Sequence, residues 1–180
     1  MIKIYIDKDD GGKLILTKNA RNFVKNFLLW VDCENIRHIR FTIKNGSGFP
    51  SGECQNPFHT LHKNKGAIIL VRSKSEWFGN DCFPMKEKLA FSIKNKNYIY
   101  LMLDYTSIDE ALIFTFGHEI FHYMSFTGQL DQKLWGRHTE YNANKFGFTL
   151  LEMYRRKHLL IEMLEMYRSI MKANKLRLIN

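Results

Sequence analysis

The residues best placed to do chemistry are His118-Glu119-Ile120-Phe121-His122, an H-E-x-x-H run. On a helix, His118 and His122 lie one turn apart and their imidazoles point to one side. Two neutral imidazoles at that spacing can hold one Zn2+. Glu119 is offset by one residue. It is too close in sequence to join them as a ligand, but well placed to take a proton from a metal-activated water. With seven histidines in 180 residues, chance gives this pattern about 0.015 times in a chain of this composition. The competing reading is a surface helix with two solvated histidines. The lead-in argues against it, because Ala111, Leu112, Ile113, Phe114 and Phe116 would carry those imidazoles into an apolar interior without partners.

A zinc held by two histidines needs a third protein donor, with water in the open position. Two candidates lie downstream, Glu140 and His138, both near enough for a helix–loop–helix return to the metal. An oxyanion formed during hydrolysis would need one more donor, and Arg137, His138, Tyr141 and Tyr123 qualify by proximity alone. For each of these, a packing or surface role is the preferred reading.

The motif followed by Glu140-Tyr141-Asn142-Ala143-Asn144-Lys145-Phe146-Gly147 resembles the ImmA/IrrE-type metallopeptidases, in which H-E-x-x-H precedes a helix reading roughly E-x-x-A-[ND]-x-F-[AG]. The resemblance covers about residues 98–151. It implies Glu140 as the third ligand, a gluzincin arrangement, with one Zn2+ per chain. It implies Asn144, one turn beyond Glu140, as a group behind the ligands, and a small Ala143 where two helices pack closely. It also implies a zincin-like α+β fold, a small mixed or antiparallel sheet packed on the H-E-x-x-H helix, with C-terminal helices. The implied activity is hydrolysis of a specific protein substrate such as a transcriptional regulator or repressor. In zincins an extended substrate often pairs with a sheet edge beside the motif helix; the expected edges here are 67–72 and 98–104.

The elements that must position these residues follow from periodicity and punctuation. Ile2, Ile4 and Ile6 alternate with polar neighbours as a strand, and Thr17 can cap a helix reaching about Asp32. Residues 36–44 form a second strand. A glycine- and proline-bearing stretch, 45–66, reads as a long loop, followed by a strand at 67–72 and a second loop at 73–88. Strands are expected at 89–93 and 98–104. Ser107 and Glu110 form a capping box for the motif helix, 107–127. Residues 130–135 read as loop or a short turn, and helices are expected at 136–157 and 158–172. The whole is one domain, 1–180, sheet-rich over 1–106, with active-site helices over 107–157 and a C-terminal helix at 158–172.

Composition bounds the partners. A hydrophobic content of 45% is that of a folded domain, and no apolar run approaches bilayer length. The first residues lack the apolar core of a signal peptide, and three widely spaced cysteines fit reduced thiols, so a cytoplasmic location is expected. The net charge of +9 raises nucleic acid as a partner, but no basic run exceeds Arg155-Arg156-Lys157 and a solvated surface is the preferred reading. Cys54, His59, His62 and Cys82 offer the ligand types of a second, structural zinc site, against ordinary loop residues as the alternative. The rival to an enzyme is a non-catalytic, zinc-stabilised module that binds protein or DNA through its basic surface.

Overall fold

Ser107 starts the motif helix, as its place before an apolar run predicts. The computed structural model describes residues 2–44, 51–59, 66–74, 85–93, 97–135 and 138–156. The motif helix, α2, spans Ile108–Phe126, the second helix in chain order after α1 at Lys18–Leu28. The Ser107 hydroxyl accepts from the Glu110 N–H at 3.4 Å, and the Glu110 carboxylate reaches back to the Thr106 N–H at 2.8 Å, one residue earlier than a capping box requires. Every residue of α2 from Asp109 to Met124 except His118 is buried. A helix apolar on all sides must be covered on all sides.

One cover is a four-stranded sheet. Its strands are β1 (Lys3–Ile6), β2 (Ile36–Lys44), β3 (Ser51–Cys54) and β4 (Ala67–Lys74), in the order β1-β2-β4-β3. The β1–β2 and β2–β4 pairs are parallel and β3 runs antiparallel to β4, so the sheet is mixed. Ile39, Phe41, Ile69 and Val71 alternate onto one face and join Ile113, Phe116 and Ile120 of α2 in a single core cluster. Phe116 stands between Phe41 and Phe27, each 6.0 Å away centroid to centroid. Helix α1 closes this core with Ala20, Val24, Phe27 and Leu28, spaced to share one side. Thr17 caps it and also donates its N–H to Asp109 at 3.0 Å, which pins the start of α1 to the first turn of α2.

The second cover is an antiparallel hairpin, β5 (Met85–Ile93) with β6 (Asn97–Tyr105), and then helix α4 (Glu140–Arg155). Leu103 and Tyr105 of β6 pack with Ala111, Phe114 and Leu151. The four-residue helix α3, Gln132–Trp135, lies in the connection between α2 and α4. The protein is thus α+β, with a small mixed sheet and several helices. Among the described residues no helix is long and apolar enough to cross a membrane.

Arg155 ties these parts together. Its guanidinium grips both carboxylate oxygens of Glu110, at 3.1 and 2.8 Å, and bonds the Asp104 carbonyl. Burial alone would raise the Glu110 carboxyl, but the Arg155 and Thr106 hydrogen bonds outweigh it and hold that carboxyl below its ordinary value. A lowered carboxyl stabilises the fold above its unfolded pKa, and that contribution disappears as pH falls through the folded value. Arg155→Ala is therefore expected to cost about 2 kcal/mol at neutral pH. The stability gap between variant and parent should shrink below about pH 4. Denaturant unfolding at pH 7 and pH 3.5 checks this; a gap that does not depend on pH would contradict it.

Several sequence expectations need correction. The 45–66 stretch is not all loop, because Ser51–Cys54 forms edge strand β3 against β4. Strand β4 continues to Lys74, and β5 begins at Met85, inside the second expected loop. Helix α1 ends at Leu28, where i→i+3 hydrogen bonds from Leu29, Trp30 and Val31 tighten the chain into turns. Helix α4 starts at Glu140 rather than at 136, because Thr139 accepts from the Asn142 N–H at 3.2 Å and caps it there. Strand β4 cannot be a substrate edge, since both its sides are occupied by β2 and β3. The expected C-terminal helix at 158–172 lies outside the described residues.

Candidate metal centre

Helix α2 delivers His118 and His122 side by side, rings 4.8 Å apart. Gly128, at φ +69°, lets the chain turn out of the helix, and the Gln129 N–H closes that turn on the Met124 carbonyl at 2.8 Å. The chain then returns through α3 to α4. Glu140, Ala143, Asn144 and Gly147 recur at helical spacing along α4, the side that meets α2. The helices nearly touch at two glycines. A Cβ on Gly117 would lie 2.8 Å from the Gly147 Cα, and one on Gly147 would lie 2.7 Å from the Phe114 carbonyl oxygen. Ala143, fully buried, is small for the same reason.

This crossing brings three donors together. His118 Nε2 lies 3.1 Å from His122 Nε2 and 3.1 Å from Glu140 Oε2, and His122 Nε2 lies 3.4 Å from Glu140 Oε1. Ligands about 2.0–2.1 Å from one tetrahedral ion stand about 3.3 Å apart, so these separations and this donor set fit a divalent metal. His118, His122 and Glu140 form, among the described residues, a group that could hold a metal ion. The two candidates for the third donor are thereby separated, with Glu140 in the cluster and His138 behind it.

The far side of each imidazole is also occupied. His118 Nδ1 meets Asn144 Oδ1 at 2.8 Å, and an amide oxygen can only accept, so the His118 proton sits on Nδ1 and Nε2 keeps its lone pair. His122 Nδ1 meets His138 Nε2 at 2.6 Å. Burial, and then the neighbouring His118 and His138, lower the His122 pKa to about 3, so this ring is neutral at working pH.

Glu119 turns the other way, toward β3, and is only 5% exposed. Its Oε1 lies 4.0 Å from His118 Nε2, beside the cluster rather than in it. Gly52 of β3 lies directly against it: a Cβ there would fall 2.2 Å from Oε1 and 2.3 Å from Cγ. Burial and the nearby Glu140 and Glu53 push the Glu119 pKa up to about 8 against the opposing pull of Arg72. A buried carboxyl poised near neutrality can both take and return a proton. A cation in the cluster would favour its ionised form.

Other candidates fall elsewhere. The Tyr123 hydroxyl donates to the Asp32 carbonyl at 2.9 Å in the core, which removes it as an oxyanion donor. Tyr141 is exposed beside Glu140, and Arg137 lies outside the described residues. Cys54 is packed against the core, its thiol raised by burial and by Glu119 and Glu53. Cys54 and His59 join no group of three ligands among the described residues; His62 and Cys82 lie outside them. Gly52 and the Gly117–Gly147 crossing were not picked out from the residues. Gly147 stood inside the family motif, and Gly117 directly precedes the H-E-x-x-H run. Gly52 carried no local signal, because its importance comes from pairing across the sheet.

Comparison of the chain with models of known families, with curated proteins and with solved structures finds no match.

Proposed function

We propose that this protein is a zinc-dependent metallopeptidase of zincin-like architecture, related to the ImmA/IrrE-type enzymes. The observation that carries the reading is the convergence of His118, His122 and the Glu140 carboxylate beside a buried Glu119. Zinc is favoured by two imidazoles and one carboxylate. When bound, the ion supplies Lewis acidity, lowering the pKa of a water and polarising a peptide carbonyl.

The chain's own residues do the rest. Asn144 holds His118 by its Nδ1 proton, so the ring keeps one orientation. Glu119 accepts the proton of the attacking water at its carboxylate and passes it to the leaving amine nitrogen. Among the described residues β3 is the edge strand of the four-stranded sheet next to Glu119, and an extended peptide added there would lie across the site. The substrate is then a protein segment that can be drawn out as a strand, such as an exposed loop or terminus of a regulatory protein.

A non-catalytic zinc module would call for a closed ligand shell, and the Glu140 side chain is 77% exposed, which favours a site open to substrate. Hydrolysis of an unstructured protein mixture, followed by new amino termini, tests the proposal. Activity lost to a chelator and restored by zinc is the expected result. No cleavage by zinc-loaded protein of any substrate in a broad peptide library would contradict it.

A further inference from the structure

The contact of His122 Nδ1 with His138 Nε2, at 2.6 Å, has no task in the proposed chemistry. Only one proton can lie between two ring nitrogens. If His138 donates it, the His122 proton sits on Nε2, pointing at His118 Nε2 and the Glu140 carboxylate, and the ring cannot ligate. If His138 accepts it, His122 Nε2 keeps its lone pair where the three donors meet.

His138 is fixed for that task although it is exposed to solvent. Its ring stacks on Phe121 at 6.4 Å and meets Phe126 edge-on at 4.7 Å. It also directly precedes Thr139, which caps α4, so the residue that seats Glu140 holds His138 in place too. Asn144 does for His118 what this contact would do for His122.

We propose that His138 is a positioning residue of the metal centre, accepting the Nδ1 proton of His122 and so holding His122 in the tautomer and orientation that bind the ion. The proposal rests on the metal-site reading and adds a member to it. Partners of this kind typically change metal affinity 10–100-fold.

The test is zinc affinity by chelator competition for the full chain and for His138→Phe, His138→Asn and His138→Gln. Phenylalanine keeps the ring packing but has no acceptor. Glutamine carries an acceptor about as far out as the histidine Nε2, whereas asparagine falls short. The expected result is a 10–100-fold loss for Phe and Asn, with Gln within about threefold of the parent. Parental affinity in His138→Phe, or a Gln variant as weak as Asn, would overturn the role of His138 while leaving the metal site standing. A parent protein that binds no zinc would overturn the metal reading and this proposal together.

Discussion

Glu119→Gln is expected to abolish peptide hydrolysis while leaving zinc bound. The amide nearly matches the carboxylate in shape, so the core around it and the contact with Gly52 are kept. It cannot take a proton. Loss of a positioned general base costs about 10²–10⁴ in rate, and because the same carboxyl returns the proton to the leaving amine, the larger figure is expected here. That is about 5 kcal/mol of transition-state stabilisation. The measurement is kcat on a cleaved peptide beside zinc content for parent and variant. Unchanged turnover with zinc retained would remove Glu119 from the chemistry.

Gly52→Ala should also cost activity heavily, through a different cause. A Cβ at position 52 would overlap Oε1, Cγ and Cδ of Glu119 at 2.2, 2.3 and 2.4 Å. Glu119 is buried, so its side chain must move aside or β3 must give way. When the side chain moves aside, the carboxylate leaves its place beside His118. A misplacement of about 1 Å at a reacting group costs about 10²-fold. We expect kcat to fall about 10²-fold, with zinc affinity close to that of the parent. Parental kcat in Gly52→Ala would mean that Glu119 works from another position. Loss of zinc would mean that β3 supports the ligands and not the base.

These two residues also mark what could and could not be read from the chain. The place of Glu119 on a buried helix beside His118 was legible because the signal is local: H-E-x-x-H on an apolar helix with Ser107 in front. The caps at Ser107 and Thr17 and the strand at Ile36–Lys44 were legible for the same reason. Strand β3 was not. Four residues, Ser-Gly-Glu-Cys, show no apolar alternation, and they become a strand only by pairing with β4. Helix α4 starts later than 136 because its cap is Thr139, a residue type that a helix also tolerates in its interior. His138 and Glu140 could not be told apart by distance along the chain. The difference is which edge of His122 each one meets, and that is set by the glycine crossing of α2 and α4.

The metal content of the purified protein beside His122→Ala and Glu140→Ala tests the centre most directly. Three converging donors should hold about one zinc per chain, and removing any one of them should empty the site. The expected result is therefore about one equivalent of zinc in the parent and almost none in either variant. Zinc retained in Glu140→Ala would return the third ligand to open question. A parent that takes up no zinc after reconstitution would contradict the central claim and make the H-E-x-x-H run a structural coincidence.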